Sequence, residues 1–162
     1  MGGAGSITLG VTGHRVLPDA AELTERVDGA LDDLAEGRAV HLLTSLAEGA
    51  DRLVAHRVLA RRGGTIEAIL PLAVDDYEDD FVDPPSREEF HALLDRATAS
   101  EVATGPTRTA AYAAAGYAVV ERSEGLLALW DGRPARGEGG TADVVAHARS
   151  LGRPVRVVAV AR

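Results

Sequence analysis

The sequence predicts a doubly wound α/β fold of the Rossmann type, with a mostly parallel sheet of about five to seven strands and helices on both faces. Three observations lead to this prediction. Short apolar runs alternate with longer amphipathic segments along the 162 residues. The first three apolar runs are continuous rather than alternating, as is typical of strands buried on both faces. The strand–helix units also repeat at a size that suits right-handed crossovers between parallel strands.

The first half of the chain supplies three strands and two helices. The first helix opens at Pro18 and Asp19, and its apolar residues recur at helical spacing. The glycine pair at 63–64 ends the second helix, and Pro71 ends the third strand. In order, the predicted elements are a strand at 7–11, a helix at 18–34, a strand at 40–43, a helix at 51–61 and a strand at 65–70.

The second half begins with an acidic stretch at 75–85, for which we expect an irregular, solvated, lid-like loop with Tyr77 and Phe81 as apolar anchors. Ser86 and Glu89 then form a capping-box pattern that predicts the start of a helix. The remaining predicted elements are a strand at 101–103, a helix at 107–123, a strand at 125–130, a helix at 141–151 and a strand at 154–160. No linker or repeat interrupts this order, so residues 1–162 are predicted to form one domain.

Composition excludes several kinds of chemistry. The chain has 25 acidic residues and 17 basic ones, and its net charge of -8 argues against binding to duplex DNA or to an anionic membrane. All basic residues are arginines, so a Walker-A loop and a Schiff-base lysine are excluded. Without cysteine there is no disulfide or thiolate metal site, and no His or acid spacing is metal-specific. We therefore expect a cytoplasmic protein with no metal and no resident cofactor.

Three strand-to-helix loops carry unusual residues, at 12–15, 45–51 and 137–143. In open parallel sheets such loops lie together beyond the carboxyl ends of the strands, where ligands bind. Glycines allow a ligand to approach the backbone, and the unpaired amides of helix N-termini attract anions. The loops therefore predict a phosphate site. The dinucleotide fingerprint G-x-G-x-x-G is absent, which disfavours an NAD-dependent dehydrogenase.

These loops resemble those of the SLOG superfamily, which groups the Smf/DprA DNA-processing proteins with the Lonely Guy phosphoribohydrolases. The similar strings are GVTGHR at 10–15, SLAEGAD at 45–51 and LPL at 70–72. The most specific part, LALWDG at 127–132 with GEGGTADVV at 137–145, is similar to sensor-type members. The resemblance runs through nearly the whole chain. It implies a single Rossmann-like nucleotide-binding domain and a homodimer.

One position departs from the Lonely Guy pattern G-G-x-G-T-x-x-E, in which the glutamate acts in cleavage of the N-glycosidic bond. Gly140 and Thr141 align with its G-T, and the position of the glutamate is then Val144. Asp143 lies one residue earlier, which on a helix is a rotation of about 100°. The resemblance therefore leaves this mechanism without its expected carboxylate.

The leading hypothesis is a domain that binds a nucleotide-derived or NAD-derived ligand, of the nucleoside phosphate or ADP-ribose type. Arg15 would pair with phosphate, because its guanidinium offers a bidentate fork. Glu48, Asp51 or Asp143 would accept hydrogen bonds from ribose, while Trp130, for which a core position is equally expected, would border a base with Tyr77. The candidate ligand-binding residues are Thr12, Gly13, His14, Arg15, Ser45, Glu48, Gly49, Asp51, Pro71, Trp130, Asp131, Gly139, Gly140, Thr141 and Asp143.

Two other functions remain open. The first is a phosphoribohydrolase acting on nucleoside monophosphates, in which Glu48 or Asp143 would stabilise an oxocarbenium-like ribose. The second is a DNA-binding relative of the DNA-processing proteins, which the net charge of -8 disfavours although Arg57, Arg61 and Arg62 could form a small basic patch. The expected partners are thus a small nucleotide-like ligand and a second copy of the chain, with no duplex DNA and no membrane.

Overall fold

The computed structural model describes residues 5–18, 20–134 and 140–161. Within these ranges six strands form one sheet in which all neighbouring strands are parallel. The strands are β1 (Ser6–Gly13), β2 (Ala39–Thr44), β3 (Thr65–Leu70), β4 (Ser100–Val102), β5 (Gly125–Trp130) and β6 (Val155–Ala159). Their spatial order is β4-β3-β2-β1-β5-β6. The predicted doubly wound α/β fold is therefore confirmed.

Helices connect the strands and cover both faces of the sheet. They are α1 (Ala20–Ala35), α2 (Ala50–Leu59), α3 (Val74–Tyr77), α4 (Pro84–Arg96), α5 (Arg108–Glu121) and α6 (Thr141–Ser150). A 3₁₀ turn, Glu78–Asp80, separates α3 from α4. None of the helices in the described ranges is long and apolar enough to cross a membrane.

The core has one layer on each side of the sheet. On β5, Leu127 and Leu129 pack with the cluster that contains α1, α2 and α4, whereas Leu126 and Ala128 pack with α6. This alternation explains why the strand sequence is apolar at every position, because each side chain enters one of the two layers. On β1, a Cβ at Gly10 would lie 2.7 Å from Val119 of α5, so glycine permits the close approach of that helix.

The strand order creates a crevice between β1 and β5. From β1 the chain winds in one direction through β2, β3 and β4, and in the other direction through β5 and β6. The helices that follow β1 and β5 consequently leave on opposite sides of the sheet. Thr12 and Gly13 pair with Ala128 and Leu129 at the carboxyl ends of these strands. Ligands of open α/β sheets bind at such a switch point.

The acidic stretch differs from its sequence-based prediction. It forms α3 and the 3₁₀ turn instead of an irregular loop, while Tyr77 and Phe81 are buried as expected. The next helix begins at Pro84 rather than at Ser86, because the side chain of Asp83 accepts a hydrogen bond of 3.0 Å from the Ser86 backbone N–H. Proline also suits the first helical position, where no N–H is needed.

Candidate functional site

A cleft of about 890 Å³ opens at the carboxyl ends of β1 and β5. Its walls come from the loop after β1, the loop and first turn of α2, the first turns of α5 and α6, and the acidic stretch. The lining residues are Thr12, Gly13, His14, Arg15, Val16, Ser45, Ala47, Asp51, Tyr77, Asp80, Arg108, Thr109, Tyr112, Gly116, Trp130, Arg133, Pro134, Gly140, Thr141, Ala142 and Val144.

The loop after β1 is fixed by hydrogen bonds to both neighbouring elements. The backbone N–H of His14 donates to the carbonyl of Leu129 (3.1 Å), and the N–H of Ala50 donates to the carbonyl of His14 (3.0 Å). The backbone N–H of Asp131 donates to Nε2 of His14 (3.0 Å), so this ring nitrogen acts as an acceptor. His14 thus connects the first loop with β5 and α2.

Two glycines allow α2 to approach this loop. Gly49 has a φ of +83°, and a Cβ there would lie 2.4 Å from the backbone oxygens of both His14 and Arg15. A Cβ at Gly13 would lie 2.5 Å from the Cβ of Ala50. These glycines are therefore required for the close contact between two protein segments, which accounts for them without any ligand.

Arginine and tyrosine side chains form one wall of the cleft. The guanidinium carbon of Arg15 lies 5.2 Å from the ring centroid of Tyr112, and that of Arg108 lies 6.0 Å from the same centroid. Asp80 accepts hydrogen bonds from Arg108 and from the hydroxyl of Tyr112. Cation–π contacts and these hydrogen bonds orient two cationic groups at the cleft.

Asp51 places a buried carboxyl group at the base of the cleft. It is 8% exposed, in the first turn of α2, and its Oδ2 accepts a hydrogen bond of 3.2 Å from the backbone N–H of Ala47. Burial raises the pKa of Asp51 to about 6, although the Ala47 N–H and the charge of Arg15 act in the opposite direction. Its protonation state therefore changes close to neutral pH.

A second polar network lies beside the cleft, and we call its members Glu48, Arg52, Ser86 and Glu89 the latch. The Ser86 hydroxyl donates to Glu48 (2.5 Å), and Arg52 donates to the Ser86 hydroxyl (2.8 Å) and to Glu89 (3.1 Å). Nε of Arg52 also donates to the carbonyl of Leu46 (3.0 Å). The latch joins α4 to the loop and first turn of α2.

Most of the sequence-predicted site residues meet at the cleft. Those in its lining are Thr12, Gly13, His14, Arg15, Ser45, Asp51, Trp130, Gly140 and Thr141. Glu48, Gly49, Pro71, Asp131 and Asp143 are not among the lining residues, and Gly139 lies outside the described residues. Trp130 lines the cleft and also packs against the core beside α6.

Sequence reasoning missed several residues of the cleft. Arg108, Tyr112, Asp80 and Arg133 were not among the candidates, although all four line it. The sequence position of Arg108 could have identified it as a candidate, because it begins the helix after β4 and so lies near the carboxyl edge of the sheet. Tyr112 lies in an alanine-rich helix, where an aromatic residue is as consistent with packing against the sheet as with a site.

The position that aligns with the Lonely Guy glutamate faces the cleft but holds a valine. Val144 is 2% exposed and lines the cleft, on the first turns of α6. A Cβ at Gly116 would lie 3.0 Å from Cγ2 of Val144, so α5 closes over this side chain. Neither Glu48 nor Asp143, the two carboxylates considered for hydrolysis, is in the lining.

Comparison with solved structures identifies proteins of the same fold. DNA processing protein A from Helicobacter pylori superposes with a TM-score of 0.62 at 15% identity, over 93% of this chain and 64% of that one. DprA from Streptococcus pneumoniae gives 0.64 at 17% identity, over 93% and 50%. The structural genomics target TM1055 gives 0.53 at 21% identity, over 92% and 72%. No family model matches the sequence, and the search of curated proteins finds no match.

These likenesses establish the class of fold. The chain has the Rossmann-like α/β fold of the DNA-processing proteins, as the SLOG resemblance implied. It spans 64% of the Helicobacter pylori chain and half of the Streptococcus pneumoniae chain. At identities of 15% and 17% the likeness concerns the fold alone.

The comparison also corrects the partners expected from the sequence. The Helicobacter pylori protein, which shares this fold, binds single-stranded DNA, so the net charge was not sufficient grounds for setting DNA aside. The physical reason is that a net charge of -8 sums the whole chain, whereas nucleic acid responds to local charge. Arg15, Arg108 and Arg133 all line one cleft in spite of that total.

Proposed function

We propose that the cleft binds a phosphorylated, nucleotide-derived ligand, of the nucleoside phosphate or ADP-ribose type. The observation that supports this most directly is the meeting of three arginines, Arg15, Arg108 and Arg133, with the N-terminus of α6 at the switch point of the sheet. A guanidinium binds phosphate through two parallel hydrogen bonds. A cleft of about 890 Å³ also falls within the range of small-molecule sites.

The phosphate would lie at the first turn of α6. This helix has ten residues and begins at Thr141, with Gly140 as its N-cap residue and no side chain capping it. The first amides of a helix point away from it without intrahelical partners and favour an anion. The Thr141 hydroxyl adds a donor on the same side of the cleft.

Aromatic side chains supply surfaces for a base. Trp130 lines the cleft, and its Nε1–H donates to the backbone carbonyl of Arg133 (3.0 Å), which holds the indole in one orientation. Tyr112, on α5, is also a lining residue, and its ring offers a second aromatic surface. A nucleotide whose base lay between these two rings would place its phosphate near Arg133 and the N-terminus of α6.

The test is isothermal titration with AMP, ADP-ribose, cyclic ADP-ribose and, as the phosphate-free reference, adenosine. We expect AMP to bind at least about tenfold more tightly than adenosine, because charge-assisted hydrogen bonds to phosphate contribute about 1.5–3 kcal/mol each. Arg133→Gln should weaken AMP binding and leave adenosine unchanged. Arg61→Gln is the matched control, since Arg61 pairs with Asp32 of α1 instead of lining the cleft.

Absence of binding by all three phosphorylated ligands at millimolar concentration would contradict the proposal. The same samples should be assayed for free adenine, because its release from AMP would indicate a hydrolase. In that case Asp51→Asn is the informative variant, since Asp51 is a carboxyl group of the cleft lining whereas Glu48 and Asp143 are not.

Single-stranded DNA is the second candidate ligand, and the shared fold with the Helicobacter pylori DNA-binding protein favours it. Val16, 83% exposed at the cleft, and the arginines beside it could contact bases and phosphates of an extended strand. Fluorescence anisotropy with a labelled oligothymidylate tests this at several salt concentrations. Binding that weakens steeply with salt and is lost in Arg15→Gln and Arg108→Gln would support it, while salt-independent absence of binding would dismiss it.

A further inference from the structure

We propose that Tyr77 and Asp51 form a subsite for a ligand hydroxyl group at the base of the cleft, and that this subsite makes binding depend on the pentose hydroxyls of a nucleotide. The inference rests on the proposed function, because it names the part of the nucleotide that these two side chains recognise. It adds a determinant of ligand choice that the phosphate contacts do not supply.

Tyr77 is held rigidly but leaves its hydroxyl unused. The side chain is fully buried, and its ring packs against Phe81 at 4.9 Å, Phe90 at 5.5 Å and Tyr112 at 6.0 Å between centroids. Its hydroxyl oxygen has no hydrogen-bond partner within the part of the chain that the structure describes. Buried tyrosine hydroxyls ordinarily have one, because an unmade bond costs free energy. A group entering the cleft would supply it.

Asp51 offers the complementary acceptor. Of its two oxygens, Oδ2 accepts from the Ala47 N–H, and an ionised carboxylate can accept further hydrogen bonds. Burial, followed by the charge of Asp51, raises the pKa of Tyr77 well above its usual value, so the phenol keeps its proton and can donate it. Tyr77 and Asp51 are both among the residues that line the cleft, so a fixed donor and an acceptor lie at the same site.

A hydroxyl group fits this pair better than other ligand groups do. It accepts a hydrogen bond from Tyr77 and donates one to Asp51, whereas a phosphate only accepts and is repelled by the carboxylate. The cleft is thus polarised, with Arg133 and the α6 N-terminus for the anion and Asp51 with Tyr77 for a neutral hydroxyl. A nucleotide has these two kinds of group on opposite sides of its pentose.

The experiment compares the affinities of AMP, 2′-deoxy-AMP and 3′-deoxy-AMP by isothermal titration. For the wild-type chain we expect AMP to bind roughly tenfold more tightly than at least one deoxy analogue, the ratio that one hydrogen bond to a charged or fixed partner provides. Tyr77→Phe retains the packed ring and removes only the hydroxyl, so it should bring this ratio close to one. Tyr117→Phe, on α5 outside the lining, is the matched control and should keep the wild-type ratio.

The outcomes separate this inference from the proposed function. Equal affinities for AMP and both analogues in the wild-type chain would overturn the hydroxyl subsite and leave nucleotide binding intact. A failure of all three to bind would overturn both. A ratio that survives in Tyr77→Phe, with the thermal midpoint unchanged, would overturn the assignment to Tyr77. Loss of stability without a change of ratio would mark Tyr77 as a core residue only.

Discussion

The cleft and the latch each contain one of two acidic residues that lie three positions apart near the start of α2, and the two carboxyl groups have different surroundings. Glu48 belongs to the latch, where it accepts a hydrogen bond from the Ser86 hydroxyl. Asp51, three residues later, lines the cleft and keeps a carboxyl group whose pKa burial raises to about 6. In the latch, Arg52 donates four hydrogen bonds through Nε and Nη1 although its Nη2 has no partner among the described residues, whereas the Tyr77 hydroxyl in the cleft makes none with them.

This difference distinguishes groups that stabilise the fold from groups that, under the proposed function, contact a ligand. Buried polar groups in a stable protein are normally paired, and sites that bind ligands are the usual exceptions. The latch holds α4 against α2 through four hydrogen bonds from Arg52, of which only Nη2 is buried without a partner among the described residues, whereas the Tyr77 hydroxyl in the cleft makes none with them. Asp51 is paired with the Ala47 N–H, but burial still raises the pKa of its carboxyl group. Removing a latch residue should therefore destabilise the chain, and neutralising a cleft residue should stabilise it.

The largest effect is expected for Arg52→Ala. Arg52 is buried and donates to the Leu46 carbonyl, to both oxygens of Ser86 and to Glu89. Loss of these hydrogen bonds should lower the free energy of unfolding by roughly 4 kcal/mol, at about 1 kcal/mol each. Urea denaturation measures it. Arg57→Ala is the control: Arg57 lies on the same helix as Arg52, and its half-buried pair with Asp28 of α1 is more accessible to solvent, so the effect should be smaller.

Asp51→Asn should have the opposite sign and depend on pH. The pKa of Asp51 is about 6 in the folded chain and near 3.8 in the unfolded one, so between these values the folded chain binds more protons. Its contribution to stability is therefore present below about pH 4, falls as the pH rises and is lost above about pH 6. At pH 7.5 the variant should be more stable than wild type by about 3 kcal/mol, and at pH 4 nearly equal to it.

Denaturation at both pH values checks this, with Glu48→Gln as the matched control from the latch. That variant weakens the hydrogen bond to Ser86, so its free energy of unfolding should fall by roughly 1 kcal/mol. Its affinity for AMP should equal that of wild type, while Asp51→Asn should bind AMP more weakly. A stability difference for Asp51→Asn that does not grow with pH would contradict the comparison.

Gly49→Ala should affect both regions, because Gly49 lies between Glu48 and Asp51. The new Cβ would lie 2.4 Å from the backbone oxygens of His14 and Arg15, at a φ of +83°. We expect a loss of roughly 2 kcal/mol together with weaker AMP binding, as the loop after β1 is displaced. Gly29→Ala is the control: its Cβ would meet no atom within 4 Å, on an exposed face of α1, and alanine should stabilise that helix slightly.

The fold could be predicted because its signals are local. Continuous apolar runs, such as that of β5, identified the parallel strands, and parallel order alone brings their following loops to one edge. The start of α4 was missed because Asp83 and Pro84 provide a better N-terminus than the capping-box pattern at Ser86. Local patterns cannot choose between two competing caps.

The site could be predicted only in part, since side-chain direction depends on tertiary geometry. Glu48 and Asp51 are both acidic residues close to the start of α2, so the sequence gives no reason to distinguish them. The positive φ values of Leu46 and Gly49 turn the chain so that Glu48 belongs to the latch and Asp51 lines the cleft. Tyr112 reaches the cleft from α5 and packs against the core cluster that contains α2, which the sequence of an alanine-rich helix does not reveal. The exclusion of DNA failed for a related reason, because a total charge contains no information about position.

The smallest effect is expected for Asp80→Asn, and it tests whether the acidic stretch competes with the ligand. Asp80 accepts hydrogen bonds from Arg108 and Tyr112 and lines the cleft. Its carboxylate therefore pairs with the Arg108 guanidinium, which could otherwise bind a phosphate. Removal of that charge should raise the affinity for AMP about threefold, a typical size for an exposed pair, and leave adenosine unchanged. Asp79→Asn, on the exposed side of the same turn, is the control for net charge. A lower affinity in Asp80→Asn would contradict this expectation. Asp80 would then hold Arg108 in position for the ligand, as Glu89 of the latch pairs with Arg52.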